Sequence, residues 1–116
     1  MIYFCDGLRL RLRGLNSTLV SNKIDNETTN KLILGRVQTQ PLRSKGVVHL
    51  TLCHHPPQWL VDQDIIEEIL NHSVKIQLFG HKHSQRVDRI NNNLRLVAGA
   101  MHPDRREPDW EPRYNF

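Results

Sequence analysis

Two short apolar runs, residues 47–53 and 75–79, constrain this chain more than any other feature. The first reads Val47-Val48-His49-Leu50-Thr51-Leu52-Cys53 and the second Lys75-Ile76-Gln77-Leu78-Phe79. Both are β-prone and too short for ordinary helices. Gly46 precedes the first run, Pro56-Pro57 stops it, and Gly80 turns the chain after the second. Such bounded runs predict strands. The first is almost continuously apolar, which predicts cover on both of its faces. Between the runs, Ile65, Ile66, Ile69 and Leu70 fall on one helical face, with Asp62, Asp64, Glu67 and Glu68 between them. That pattern predicts an amphipathic helix over 62–70, with Asp62 as N-cap and Asn71-His72-Ser73 closing it. A strand–helix–strand order of this length suits two parallel strands joined by a crossover.

Each run breaks into imidazoles at its C-terminal end: His54-His55-Pro56-Pro57 after the first, Gly80-His81-Lys82-His83 after the second. Open α/β sheets place ligands at that end of their strands. Residues two apart in extended chain project to one side, so His81 and His83 can share a small volume. Gly80 permits a turn that other residues resist. If the two strands are parallel neighbours, His54 comes close to His81. Neutral imidazole is a ligand for divalent zinc, iron, manganese and nickel. His49, His72 and His102 carry no such pattern and read as ordinary hydrogen-bonded polar groups. A closed finger-type zinc site, which needs four ligands and usually cysteines, is disfavoured, because Cys53 and His54 would point to opposite faces of a strand.

Elsewhere, Leu8-Arg9-Leu10-Arg11-Leu12-Arg13 alternates strictly, predicting a half-buried strand with the arginines on its polar face. Residues 21–30 read as a polar surface loop. Residues 31–42 read ambiguously; Gly35-Arg36-Val37-Gln38 could open a short helix that would end before Pro41. Residues 85–90 and 94–98 flank Asn91-Asn92-Asn93, and asparagine tolerates the backbone that tight hairpins need. The tail, 101–116, holds three of the six prolines and reads as irregular, anchored by Trp110, Tyr114 and Phe116. The order points to one α/β layered domain.

Composition narrows the function classes. At 116 residues, with 38% hydrophobic and 24% charged residues, the chain suits one small soluble domain. No run is long enough to span a bilayer, so no membrane partner is expected, and the N-terminus lacks the basic region of a signal peptide. Cys53 sits inside a predicted strand and reads as a buried thiol, which with Cys5 suggests a reducing, cytoplasmic setting. The net charge of +4 is scattered, so a nucleic-acid patch is not indicated.

The strand–His54-His55-Pro56 and strand–Gly80-His81-Lys82-His83 motifs, separated by one helix, resemble the later motifs of the calcineurin-like metallophosphoesterase family. Gly14-Leu15-Asn16-Ser17 is similar to a segment that many bacterial members carry upstream, and Val97-Ala98-Gly99-Ala100 to the strand that closes the hairpin. The resemblance covers roughly residues 8–116. It implies a sandwich of two mixed β-sheets flanked by helices, of which this chain would supply the C-terminal half. It also implies a site with two divalent ions, manganese, iron or zinc, about 3.5–4 Å apart, which hydrolyses phosphate esters. Matched residue by residue, His54 and His81 would ligate one ion and His83 the other. His54 is preferred to its neighbour His55, which would sit behind the ligands or face substrate phosphate.

The family's earlier motifs, Asp-x-His, Gly-Asp and Gly-Asn-His, do not occur in this sequence. The bridging aspartate and several other ligands are therefore absent from it. Two expectations follow. The chain is part of a phosphoesterase domain, a fragment or one half of a split protein, with little activity alone. Alternatively, it is a binding module for metal or anions that pairs with a complementary chain or the missing N-terminal half. A half sandwich would leave sheet edges and an apolar face open.

Overall fold

The β-prone runs of the sequence assemble into one mixed sheet. The computed structural model describes residues 1–4, 6–19, 32–40, 44–81 and 85–98. Among these residues there are six strands: β1 (Ile2–Tyr3), β2 (Arg9–Leu15), β3 (Val47–Cys53), β4 (Ile76–Phe79), β5 (Arg86–Ile90) and β6 (Asn93–Val97). Their order across the sheet is β1-β2-β3-β4-β6-β5. The central four strands run parallel, and β1 and β5 pair antiparallel at the edges. Two helices, α1 (Arg36–Thr39) and α2 (Gln63–Ser73), and a 3₁₀ turn at Pro57–Trp59 complete the described structure. The fold is mixed α/β, and the crossover from β3 through α2 to β4 joins parallel neighbours, as the spacing of the apolar runs implies. Among the described residues, no helix is long and apolar enough to cross a membrane.

The helix α2 runs one turn further than its apolar pattern suggests. Asn71, His72 and Ser73 belong to it, and the Val74 amide closes it by donating to the Leu70 carbonyl. These residues stay helical because Asn71 is held from inside by hydrogen bonds to the sheet. Asp62 does occupy the N-cap position, but its carboxylate makes no cap bond. It accepts instead from the amides of Leu34, at 3.3 Å, and Gly35, at 2.8 Å. Asp62 thus ties the segment before α1 to the start of α2. That segment also bridges Leu32 to Leu60, and the main core gathers there: Leu32, Leu34, Trp59, Leu60, Ile66, Leu70 and Val74 are all buried. Full burial of side chains such as Ile66 and Leu70 contributes about 1.5–3 kcal/mol each.

Two expectations about faces are corrected. The arginines of β2 do not form its solvent side: Arg9, Arg11 and Arg13 are half-buried, while Leu12 is 56% exposed. Arg13 Nη1 donates to the carbonyls of Gln38 and Gln40, so α1 and its C-terminal flank cover that side. Nor is β3 covered on both faces, since Leu52 is 39% exposed and Val48 and Leu50 are half-buried. The hairpin forms as the asparagine run implies, with Asn91 in the left-handed region at φ 55° and Asn93 already inside β6. The short strand β1 has no clear sequence signal. The polar loop at 21–30, the tail with Trp110, Tyr114 and Phe116, and Cys5, His83 and His102 lie outside the described residues.

Candidate metal centre

Because β3 and β4 are parallel and in register from Leu50↔Ile76 to Cys53↔Phe79, both strands end at the same level. His54 and Gly80 follow those ends directly. The Gly80 amide donates to the carbonyls of both Cys53 and His54, at 3.2 and 3.1 Å, which pins the two exits together. A side chain at Gly80 would meet the His54 carbonyl oxygen at 3.3 Å and His54 Nδ1 at 3.5 Å. The ring contact would be an ordinary one, so what glycine eases here is the close approach to the His54 carbonyl. The next residue, His81, has φ 68°. A non-glycine residue in the left-handed region costs of order 1 kcal/mol, and such strain clusters at functional sites.

The result is a tight group of imidazoles. His54 Nε2 lies 2.9 Å from His81 Nδ1. Ring centres are 4.7 Å apart for His54–His55, 4.9 Å for His54–His81 and 5.0 Å for His55–His81. The three ligand atoms all lie within 4.8 Å of one another. His54 is exposed, His81 half-buried and His55 buried. The chain leaves extended geometry after Cys53, so the adjacent His54 and His55 need not point to opposite sides. In the absence of metal, one of the paired nitrogens of His54 and His81 must carry the proton of their hydrogen bond. With a metal both lone pairs face the ion. The group His54, His55 and His81 can hold a metal ion: it offers three nitrogen donors, the set that suits late first-row divalent ions. Among the described residues no carboxylate joins it.

The sequence pattern brings His54 and His81 together as expected. His83, expected as a ligand of a second ion, lies outside the described residues. Two participants are not marked as site residues by the sequence: Trp59, which has no motif, and Ser17, which ends the Gly14-Leu15-Asn16-Ser17 segment. Trp59 stacks on His55, with ring centres 5.5 Å apart and planes at 24°, and its ring meets His81 edge-on at 4.4 Å. The buried Ser17 hydroxyl lies 2.9 Å from His55 Nδ1. Ser17 reaches the site because β2 pairs with β3 in a register that sets Leu15 opposite Cys53, which carries the following residues to the level of His54 and His55. Cys53 is a free, buried thiol, and burial pushes its pKa up, partly offset by bonds from the Ser17 side chain and the His55 backbone. A groove of about 380 Å³ opens beside the group, walled by His54, Gly80, Leu52, Leu78, Leu96 and Ala98. In comparisons with known proteins, the chain matches no family model, no curated protein and no solved structure.

Proposed function

We propose that this chain forms part of a metal-dependent phosphoesterase, supplying imidazole ligands to a two-metal site whose carboxylates come from outside the described group. The observation that carries this reading is the 2.9 Å approach of His54 Nε2 to His81 Nδ1 at the C-terminal ends of adjacent parallel strands. In the resemblance read from sequence, those two residues ligate one ion and His83 a second. Two bound divalent ions supply charge that stabilises a transferring phosphoryl group and lower the pKa of bound water. The residues of this chain hold and orient that charge. Gly80 and the strained His81 backbone fix the ring positions, and Trp59 shields one side from water.

The finer fold goes with this function. The six-stranded sheet would be one layer of a two-sheet sandwich, the second sheet packing on the face opposite α2, where Leu12, Leu50, Leu52, Leu78 and Leu94 are half-exposed or exposed. That open face also favours the second reading, in which the chain is an interaction module that pairs with a complementary chain without turnover.

One experiment separates the two. The chain is mixed with the N-terminal half of a calcineurin-like metallophosphoesterase that carries Asp-x-His and Gly-Asp, and manganese-dependent hydrolysis of an aryl phosphate is followed. We expect little turnover from the chain alone, turnover in the mixture, and its loss with His54→Ala or His81→Ala. A stable complex without turnover supports the interaction module. Turnover that survives both substitutions sinks the phosphoesterase reading.

A further inference from the structure

We infer that His54, His55 and His81 form a single-metal site complete within this chain, with His55 as its third ligand through Nε2 and Ser17 as the residue that orients it. This rests on the reading of the imidazole group as a metal centre, but it needs neither a second ion nor His83.

The spacing of the rings is the first argument. Three imidazoles bound tetrahedrally to one ion, with metal–nitrogen bonds of about 2.1 Å, have ring centres roughly 5 Å apart. The observed separations are 4.7, 4.9 and 5.0 Å, a nearly equilateral triangle. Small ring rotations bring nitrogens already within 4.8 Å onto a common ion. A pair of ligands backed by an uninvolved third histidine has no reason to keep all three separations equal.

The second argument is orientation. His55 Nδ1 faces the Ser17 hydroxyl at 2.9 Å in a buried setting, so the ligand nitrogen inferred for His55 is Nε2. A metal-bound histidine ordinarily donates its other ring N–H to a partner that fixes tautomer and ring angle. The Ser17 oxygen accepts that proton, and the Ser17 hydroxyl proton is free to turn toward Cys53, with which Ser17 also bonds. The near-parallel Trp59 ring holds His55 from the side, so the imidazole has little room to swing out of the group.

Three nitrogen donors on one ion leave a fourth position for water or an anion, the donor set of catalytic rather than closed structural zinc sites. The ligand class is therefore a single zinc-, cobalt- or nickel-type divalent ion, with a small oxyanion or water completing it.

The test is a Co²⁺ titration of the full chain, read by visible absorption and by equilibrium dialysis for stoichiometry. Far-UV circular dichroism checks each variant for folding. We expect one tight ion per chain with the intense absorption of low-coordinate cobalt. His55→Ala should weaken binding at least tenfold, comparable with His54→Ala and His81→Ala, and His83→Ala should leave the first ion in place. Ser17→Ala should weaken it roughly tenfold, the usual loss for a residue that orients a ligand, and Ser17→Thr should restore it. Should His55→Ala unfold the chain, the Ser17 pair with its absorption spectrum still decides the matter. Unchanged binding in His55→Ala with loss in His83→Ala overturns this site and leaves the two-metal assignment standing. No bound ion in the wild type overturns both.

Discussion

The two faces of the sheet invert the usual relation between polarity and burial. On the face that packs against α2, the register aligns Thr51, Gln77 and Arg95 in one row across β3, β4 and β6, and all three are buried. On the opposite face the register aligns Leu12, Leu50, Ile76 and Leu94, and beside them Leu52, Leu78 and Leu96. Each of those seven aliphatic side chains is half-exposed or exposed. The buried Arg95 and Gln77 are tolerable because α2 supplies partners for them. Arg95 donates to Glu67 at 2.6 Å, to Gln77 at 3.1 Å and to Asn71 at 3.2 Å, while Gln77 donates to Asn71 at 3.0 Å. Asn93 adds a bond to the Asn71 carbonyl, and the Arg95 guanidinium lies 5.7 Å from the Phe79 ring centre. The aliphatic face has no equivalent partner among the described residues. Large contiguous apolar patches of this kind mark interaction surfaces. The α2 face also buries the apolar row Leu15, Cys53, Phe79 and Val97, so the face on which the crossover helix lands is buried with its polar row included.

The sharpest break between the faces comes from removing the centre of the polar row. Arg95→Ala takes the donor from the buried Gln77 Oε1, one of two donors from Asn71 Oδ1, and the partner from the Glu67 carboxylate, whose side chain is 25% exposed. Leaving a buried polar group without its partner costs about 1–3 kcal/mol, and the part-exposed Glu67 carboxylate can be met by water. Urea denaturation should register a loss of that size. A loss under about 1 kcal/mol would mean that water reaches the network and that the polar face is less sealed than its burial indicates.

That inversion also marks how far the sequence can be read. Bounded apolar runs and the asparagine turn place β3, β4 and the hairpin well, and period-two alternation tells which residues of a strand share a face. It does not tell which face a helix covers, so the arginines of β2 look like a solvent side although all three are half-buried and Arg13 lies under α1 and its flank. The histidine pair is legible because both members end local, short-range elements. Ser17 and Trp59 are not, because their places depend on the long-range pairing of β2 with β3 and on the 3₁₀ turn after Pro56-Pro57. Trp59 carries no pattern of its own, and the Gly14-Leu15-Asn16-Ser17 segment does not say that Ser17 meets a histidine. The role of Asp62 is similar: its position at the start of α2 is local information, whereas its bonds to Leu34 and Gly35 are not.

A smaller effect, in the opposite direction, is expected on the aliphatic face. Leu52→Glu and Leu94→Glu place charges where side chains are already 39% and 42% exposed, so stability should change by less than about 1 kcal/mol. What should change is association. The wild-type chain should bind a hydrophobic dye and self-associate as concentration rises, and the double variant should do neither as strongly. Light scattering coupled to size exclusion gives the answer. Indistinguishable behaviour of wild type and double variant would show that this face is not the sticky one.

The smallest effect separates the faces by pH, through Cys53. This thiol sits on the α2 side, in register with Phe79 and, through it, Val97. Burial raises its pKa, and the bonds from Ser17 and the His55 backbone only partly offset that. The folded state therefore holds the thiol proton more tightly than the unfolded chain does. The resulting stability is fully present below the ordinary thiol value of about 8.5 and is lost progressively as pH rises above it toward the folded-state value. Stability measured from pH 7 to 10 should fall more steeply in the wild type than in Cys53→Ala, whose own penalty is a constant offset from the lost packing. Cys53 should also react slowly with iodoacetamide at pH 8 until the chain unfolds, since the thiolate is the nucleophile. Parallel pH profiles, or rapid alkylation of the folded chain, would place the thiol in contact with water. The seal that α2 forms over the polar face would then end before it reaches the imidazoles.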